Sequence, residues 1–296
     1  MLPLTLLSTL GLIWGSAFAI ARYVMCNGVS PLIYSFMVVF FPAILMSIHC
    51  LNKNNLHKVI FTNPKYYIIT ALLGIVIPNT NKYYLASHLP SGILAIIVAT
   101  TPFFIYPLAL LFREEKFQLQ RLLGSLSASC GILLLAILHS TTHLSINYYL
   151  LISFITPISY ATCAVYVARF IPQKQDVKIL TTGMLIAAAI MLTPVLFTHS
   201  IASLTSLTMG TSIAIIAEIL LVTTGYLILF KILKNYGSIN YSLVDGIAGI
   251  VGVFFGYIFF TETISKFIIL AIVFIALGII LLKKRKPKLD TNKLHM

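Results

Sequence analysis

The chain has 296 residues, 59% of them hydrophobic and only 9% charged, with mean hydropathy +1.00 and a formal net charge of +13. A soluble globular domain carries roughly 25% charged residues, so this composition excludes an ordinary soluble enzyme and points to a membrane. The excess of positive charge is not a nucleic-acid footprint, because the basic residues sit where a membrane protein needs them.

Apolar runs close to the ~20 residues that a ~30 Å hydrocarbon core demands of a helix recur along the chain. They predict ten spans, over 2–23, 31–51, 65–87, 91–112, 119–139, 147–168, 178–198, 211–233, 238–260 and 266–283. The runs are continuous and rich in Leu, Ile and Ala, whereas a transmembrane β-barrel would alternate in shorter segments. The first span contains Ala17-Phe18-Ala19, which resembles a signal-peptidase site, but no basic residue precedes it and the apolar run is too long, so it reads as a retained helix. With the N-terminus in the cytoplasm, the inner side receives Lys53, Lys58, Lys65, Arg113, Lys116, Arg121, Arg169, Lys174, Lys178, Lys231, Lys234 and the six basic residues after Leu282. That places 17 of the 20 Lys and Arg inside and leaves Arg22, Lys82 and Lys266 outside. The positive-inside rule then sets both termini in the cytoplasm and supports an even number of spans. The basic tail over 284–296 reads as an anchor on an anionic leaflet, and nucleic acid is not an expected partner.

Four cysteines, Cys26, Cys50, Cys130 and Cys163, show no CxxC pairing, and Cys26 and Cys50 fall at opposite ends of consecutive helices. No HExxH or paired-ligand spacing occurs, so neither a metal nor any other cofactor is expected. The sequence also lacks a Walker A pattern and the GxSxG and GxGD motifs of membrane-embedded enzymes, and the protein is not expected to be an enzyme.

An internal repeat appears at an offset of 147 residues. Arg22 maps to Arg169, Ser91 to Ser238, Glu115 to Glu262 and Gly131 to Gly278. These matches predict two five-helix units, 1–140 and 141–283. An odd number of spans per unit makes the second enter the membrane from the opposite side, which is the inverted-repeat plan of many secondary carriers.

The residues themselves resemble a family. "LIWGSAFAIAR" at 12–22 is similar to the opening signature of the EamA-like branch of the drug/metabolite transporter superfamily. The stretch 89–135 resembles that family's fourth and fifth helices, with a small-residue start, a mid-helix Pro102, an acidic exit at Glu115 and glycines at Gly124 and Gly131. The stretch 239–282 repeats the scheme, except that Ala161 stands where Trp14 would map and Gly249 where Pro102 would. The resemblance implies an all-α integral membrane protein whose two inverted units surround a central cavity. It also implies a carrier of a small molecule, with lipid as the other partner and a single copy sufficient. A lipid-handling protein of the same fold is the competing reading.

An ionisable residue within a span costs about 2.5–3.5 kcal/mol on insertion scales, so each needs a partner or a task. Glu218 lies seven residues into the eighth span and Asp245 seven into the ninth, each about 10 Å deep at 1.5 Å per residue. Neither has an acidic counterpart at the repeat offset, and both are candidates for coupling to protons. Lys82 is the expected neighbour of Glu218. Asp245 shares a helix face with Ser242, Gly249, Gly252 and Gly256, which favours close helix packing and a link to Lys231 or Lys234. Trp14, Tyr160, Tyr226 and Tyr257 lie deep enough to form aromatic walls for a substrate. Arg22 and Arg169 read as interfacial anchors.

The stretch "IPNTNKYYLASHLPSG" at 77–92 concentrates hydrogen-bonding groups at the end of the third span. At helical spacing Asn79, Lys82 and Tyr83 share one side, assigned to the cavity, while Asn81, Tyr84 and His88 share the other, assigned to the headgroup interface.

Overall fold

A computed structural model describes residues 4–51, 63–114, 116–124, 126–127, 130, 148–198, 207–262 and 266–283. Glu115, Gly131 and the basic tail therefore lie outside the described residues, as does most of the second half of the predicted fifth span. All regular structure among the described residues is helical. In chain order it comprises α1 (Leu4–Cys26), α2 (Pro31–Leu51), α3 (Pro64–Ala71), a π-helical turn (Leu72–Val76), α4 (Ile77–Ala86), α5 (Ser91–Val98) and α6 (Thr101–Leu111). Residues 119–124 are also helical. There follow α7 (Tyr148–Ser153), α8 (Ile155–Phe170), α9 (Val177–Leu192), α10 (Val195–Thr198), α11 (Met209–Phe260) and α12 (Lys266–Lys283). Six helical stretches among the described residues are long and apolar enough to cross a membrane.

Several predicted spans are broken where proline or a register change interrupts the backbone ladder. The fourth divides at Ala99 and Thr100, just ahead of Pro102, into α5 and α6. The seventh divides ahead of Val195, after Pro194, into α9 and α10. Proline has no N–H to donate and its ring crowds the preceding turn, so a helix pauses there.

The predicted third span is the most informative case. In the π turn, the N–H of Ile77 bonds the carbonyl of Leu72, five residues back. Pro78 would next serve Leu73 in the π register or Gly74 in the α register, and lacking an N–H it serves neither. Hydroxyls from other helices meet these carbonyls: Ser159 Oγ donates to Leu73 O at 2.7 Å, and Tyr226 Oη to Gly74 O at 3.5 Å. Local backbone irregularity thus fixes where α8 and α11 dock.

The predicted eighth and ninth spans are two limbs of α11, joined at Gly237, whose φ of 78° and ψ of 175° depart from helical values. The limbs run in opposite directions against α1. Gly11 and Gly15 meet Ile247 and Val251 in parallel order, whereas Trp14 meets Gly225 and Tyr23 meets Gly210 in antiparallel order. A left-handed φ is open to glycine at little cost, so one residue suffices for the reversal. On the second limb, a Cβ at Gly249 would collide with Ala99 and one at Gly252 with Ala95. These glycines are what allow the limb to lie directly on α5.

Candidate functional site

A small internal cavity of about 40 Å³, room for a few water molecules, lies where α1, α4, α8 and both limbs of α11 converge. Trp14 comes from α1; Asn79, Lys82 and Tyr83 from α4; Tyr160 from α8; and Glu218, Tyr226 and Asp245 from α11. The structure thus gathers eight of the nine sequence candidates around one space. Tyr257 does not join them: it is 56% exposed on the outer surface of the second limb. It follows Asp245 by twelve residues, a rotation of about 120° at 3.6 residues per turn, and so faces elsewhere.

A hydrogen-bonded chain crosses the cavity. Tyr160 Oη donates to Asn79 Oδ1 at 2.8 Å, Asn79 Nδ2 donates to Tyr226 Oη at 3.4 Å, and Tyr226 reaches the Gly74 carbonyl freed beside Pro78. Asn79 and Tyr226 are separated by the repeat offset of 147 residues. Trp14 packs edge-on against Tyr226 with ring centroids 5.3 Å apart, and Tyr83 likewise against Tyr34 at 4.7 Å.

The charged groups are arranged differently from expectation. Lys82 and Glu218 line the same cavity and are electrostatic neighbours, yet no ion pair within 4 Å joins them. Instead the Lys82 ammonium lies over the rings of Tyr83, at 4.7 Å, and Phe18, at 5.6 Å. Glu218 is fully buried, and neither carboxylate oxygen has a hydrogen-bond partner among the described residues. Asp245 is 2% exposed, with the hydroxyls of Tyr241 and Thr101 against it. The expected link from Asp245 to Lys231 or Lys234 is not formed, because Asp245 faces inward while Lys231 is exposed and Lys234 Nζ donates to Gln175 O at 2.7 Å. Tyr241 was missed by sequence reasoning, although it stands one helical turn before Asp245.

The two sides of α4 separate as the helical spacing demands. Asn79, Lys82 and Tyr83 are buried at the cavity, whereas Tyr84 and His88 are exposed. Asn81 departs from its assignment to the headgroup interface: its Nδ2 donates to Ile152 O at 3.0 Å and Thr156 Oγ1 at 2.9 Å. It ties α4 to α7 and α8.

The description of the EamA-like transporter family matches the chain over residues 1–137 and again over 147–283. The chain belongs to this family. A solved crystal structure resembles the EamA-like fold described here with a TM-score of 0.69, over 94% of this chain and 95% of its own, at 14% identity. No curated protein gives a significant match. Family membership and the apolar helices make this a multi-pass membrane protein of the transporter type.

In this EamA-like chain two glutamates, at opposite ends of the bundle, are each seated on a helix N-terminus. At one end Glu262 Oε1 accepts from Ser91 N and Ser91 Oγ, both at 2.8 Å, and Oε2 accepts from Gly92 N at 2.9 Å. Arg22 joins this end as more than an anchor: its Nε lies 3.5 Å from Glu262 Oε1, and its Nη1 donates to Leu89 O at 2.7 Å. Arg169, by contrast, is exposed. At the other end Glu114 accepts from Ser238 N at 3.1 Å and Ser238 Oγ at 2.7 Å. Carboxylates favour the four unsatisfied N–H groups and the positive pole of a helix start. The repeat offset pairs Glu262 with Glu115, but by position the counterpart is Glu114. Each capping glutamate directly follows a residue in the left-handed conformation, Arg113 (φ 54°) or Thr261 (φ 50°).

Proposed function

We propose that this protein is a secondary carrier that moves a small polar or amphipathic metabolite, such as an amino acid or amine, by alternating access. The observation that carries the reading is a cavity in the middle of an apolar helical protein that holds a buried, unpartnered carboxylate beside a tyrosine–asparagine chain. Glu218 without a partner costs several kcal/mol, and such a cost is sustained where a ligand or proton supplies the missing contact. The paired caps support two units, 1–140 and 141–283, of five spans each and inverted in the membrane. The exit of one unit's fourth span closes on the start of the other unit's equivalent helix, in both directions. Rocking about the cavity would break one cap while keeping the other. The proposed location is a bacterial inner membrane, and the distribution of Lys and Arg supports both termini cytoplasmic, the Glu262 end outward and the Glu114 end inward.

Glu218 and Asp245 are the groups proposed to couple transport to protons or to exchange. Reconstituted protein is expected to give saturable uptake of a compound from an amino-acid, amine and nucleoside panel, with Glu218→Gln abolishing any dependence on a proton gradient. Absence of flux across the whole panel would count against a carrier. Movement of fluorescent lipid between leaflets would favour the lipid-handling alternative.

A further inference from the structure

Acidic groups outnumber basic ones at the cavity: Glu218 and Asp245 face a single amine, Lys82, and no other Lys, Arg, Asp or Glu is among the described lining residues. In a low-dielectric interior a second carboxyl group ionised without a partner is costly, so a ligand that brings one positive charge is what lets it ionise. An anion would need cationic donors to spare, and the single Lys82 is already placed on the rings of Phe18 and Tyr83.

Both acids carry unpartnered oxygens, Oδ2 of Asp245 and both oxygens of Glu218, and of the hydroxyls near Asp245 that of Thr101 donates to Val98 O. Glu218, with neither oxygen served, is the stronger receiver. A carboxylate in that condition accepts strongly from an ammonium, which offers several N–H donors. The surrounding aromatic faces, including Trp14, Tyr83 and Tyr226, stabilise an organic cation by about 0.5–2 kcal/mol through the ring quadrupole. Inorganic divalent ions fit poorly, because they need six or more converging oxygens, and no group of three His, Cys, Asp or Glu able to hold a metal occurs among the described residues.

We propose that the cavity selects an organic monocation, whose ammonium is received by Glu218 against the aromatic wall, and that Lys82 is a tethered cation competing for the same wall. This rests on the carrier reading and narrows its substrate class to amines rather than zwitterions or acids. It assigns Lys82 the opposite role from a carboxylate-binding lysine. Removing the lysine charge strengthens ligand binding instead of weakening it.

The test uses three probes with one ring and one chain length but different charge: 2-phenylethylamine, phenylalanine and 3-phenylpropionate. Each is titrated calorimetrically into the purified full chain in nanodiscs. The amine is expected to bind about tenfold or more tighter than either relative, the scale of one well-desolvated charge contact. Lys82→Met is expected to tighten amine binding several-fold, and Glu218→Gln to weaken it about tenfold. Tighter binding of phenylalanine or 3-phenylpropionate, weaker amine binding in Lys82→Met, or no binding of any probe would overturn the proposal. The order of the three probes on the unsubstituted chain decides the matter even where a variant does not fold. Counterflow in proteoliposomes separates the two levels. Amine binding without movement of any probe rejects the carrier reading and keeps the cation site, whereas movement of the zwitterion or acid in preference to the amine rejects the cation site and keeps the carrier.

Discussion

The two ends of the bundle use the same device with different partners. At each, a residue in the left-handed conformation ends a long helix, and the glutamate that follows turns back onto the first N–H of another helix. Glu262 accepts from Ser91 N, Ser91 Oγ and Gly92 N and carries Arg22 beside it, whereas Glu114 takes Ser238 N and Ser238 Oγ among its contacts. The difference teaches that a repeated unit preserves the geometry of a cap more readily than the groups that build it.

The largest effects should come from removing the glutamates. Charge-assisted bonds contribute about 1.5–3 kcal/mol each and a lost helix cap typically about 1 kcal/mol. Glu262→Ala removes three bonds and leaves Arg22 without its carboxylate, so opening at that end should rise on the order of a hundredfold. Glu114→Ala should raise opening at its own end by about tenfold. The readout is the labelling rate of Leu229→Cys, a cavity position, by a membrane-impermeant maleimide in a chain whose four native cysteines are serine. Glu262→Ala should speed labelling from outside and Glu114→Ala from inside. Acceleration of labelling from both sides by either variant would show that the two caps do not act on separate ends.

A smaller change isolates the inner end. Gly237 has φ 78°, and a Cβ added there would stand 3.2 Å from Glu114 Oε1. Gly237→Ala therefore combines a backbone cost of about 1–2 kcal/mol with crowding of the cap. Labelling from inside should increase several-fold, while labelling from outside does not. An increase on both sides would mean that the turn between the limbs of α11 governs the whole bundle rather than one closure.

How far the sequence foretold this arrangement depends on the kind of signal. The cost of an ionisable group in an apolar run singled out Glu218 and Asp245, and the helical period put Asn79, Lys82 and Tyr83 on one side of α4. Depth along a span carries no direction, which is why Tyr257 was grouped with Trp14, Tyr160 and Tyr226 although it faces outward. Pro78 marked a bend, but the hydroxyls that meet the carbonyls it frees come from Ser159 and Tyr226, residues distant in the chain. That Glu114 caps Ser238 goes with the left-handed residue Arg113 just before it, whose conformation no fixed repeat offset can register. Asn81 looked like an interfacial residue because its partners, Ile152 and Thr156, belong to the other half of the sequence.

The smallest expected effect bears most directly on what holds the outer end. Arg22 is about a quarter exposed and lies 3.5 Å from Glu262, and its other bond goes to the Leu89 carbonyl. Partly solvated pairs of this kind contribute about 0–1 kcal/mol. If the helix N-terminus holds Glu262, Arg22→Met should accelerate outside labelling no more than about fivefold, far below Glu262→Ala. The double variant should then exceed Glu262→Ala only by the share of the Arg22 bond to Leu89 O, about twofold to fivefold. A larger effect of Arg22→Met would transfer the hold on Glu262 from the hydrogen bonds of Ser91 and Gly92 to the guanidinium, and raised salt concentration should then speed labelling from outside.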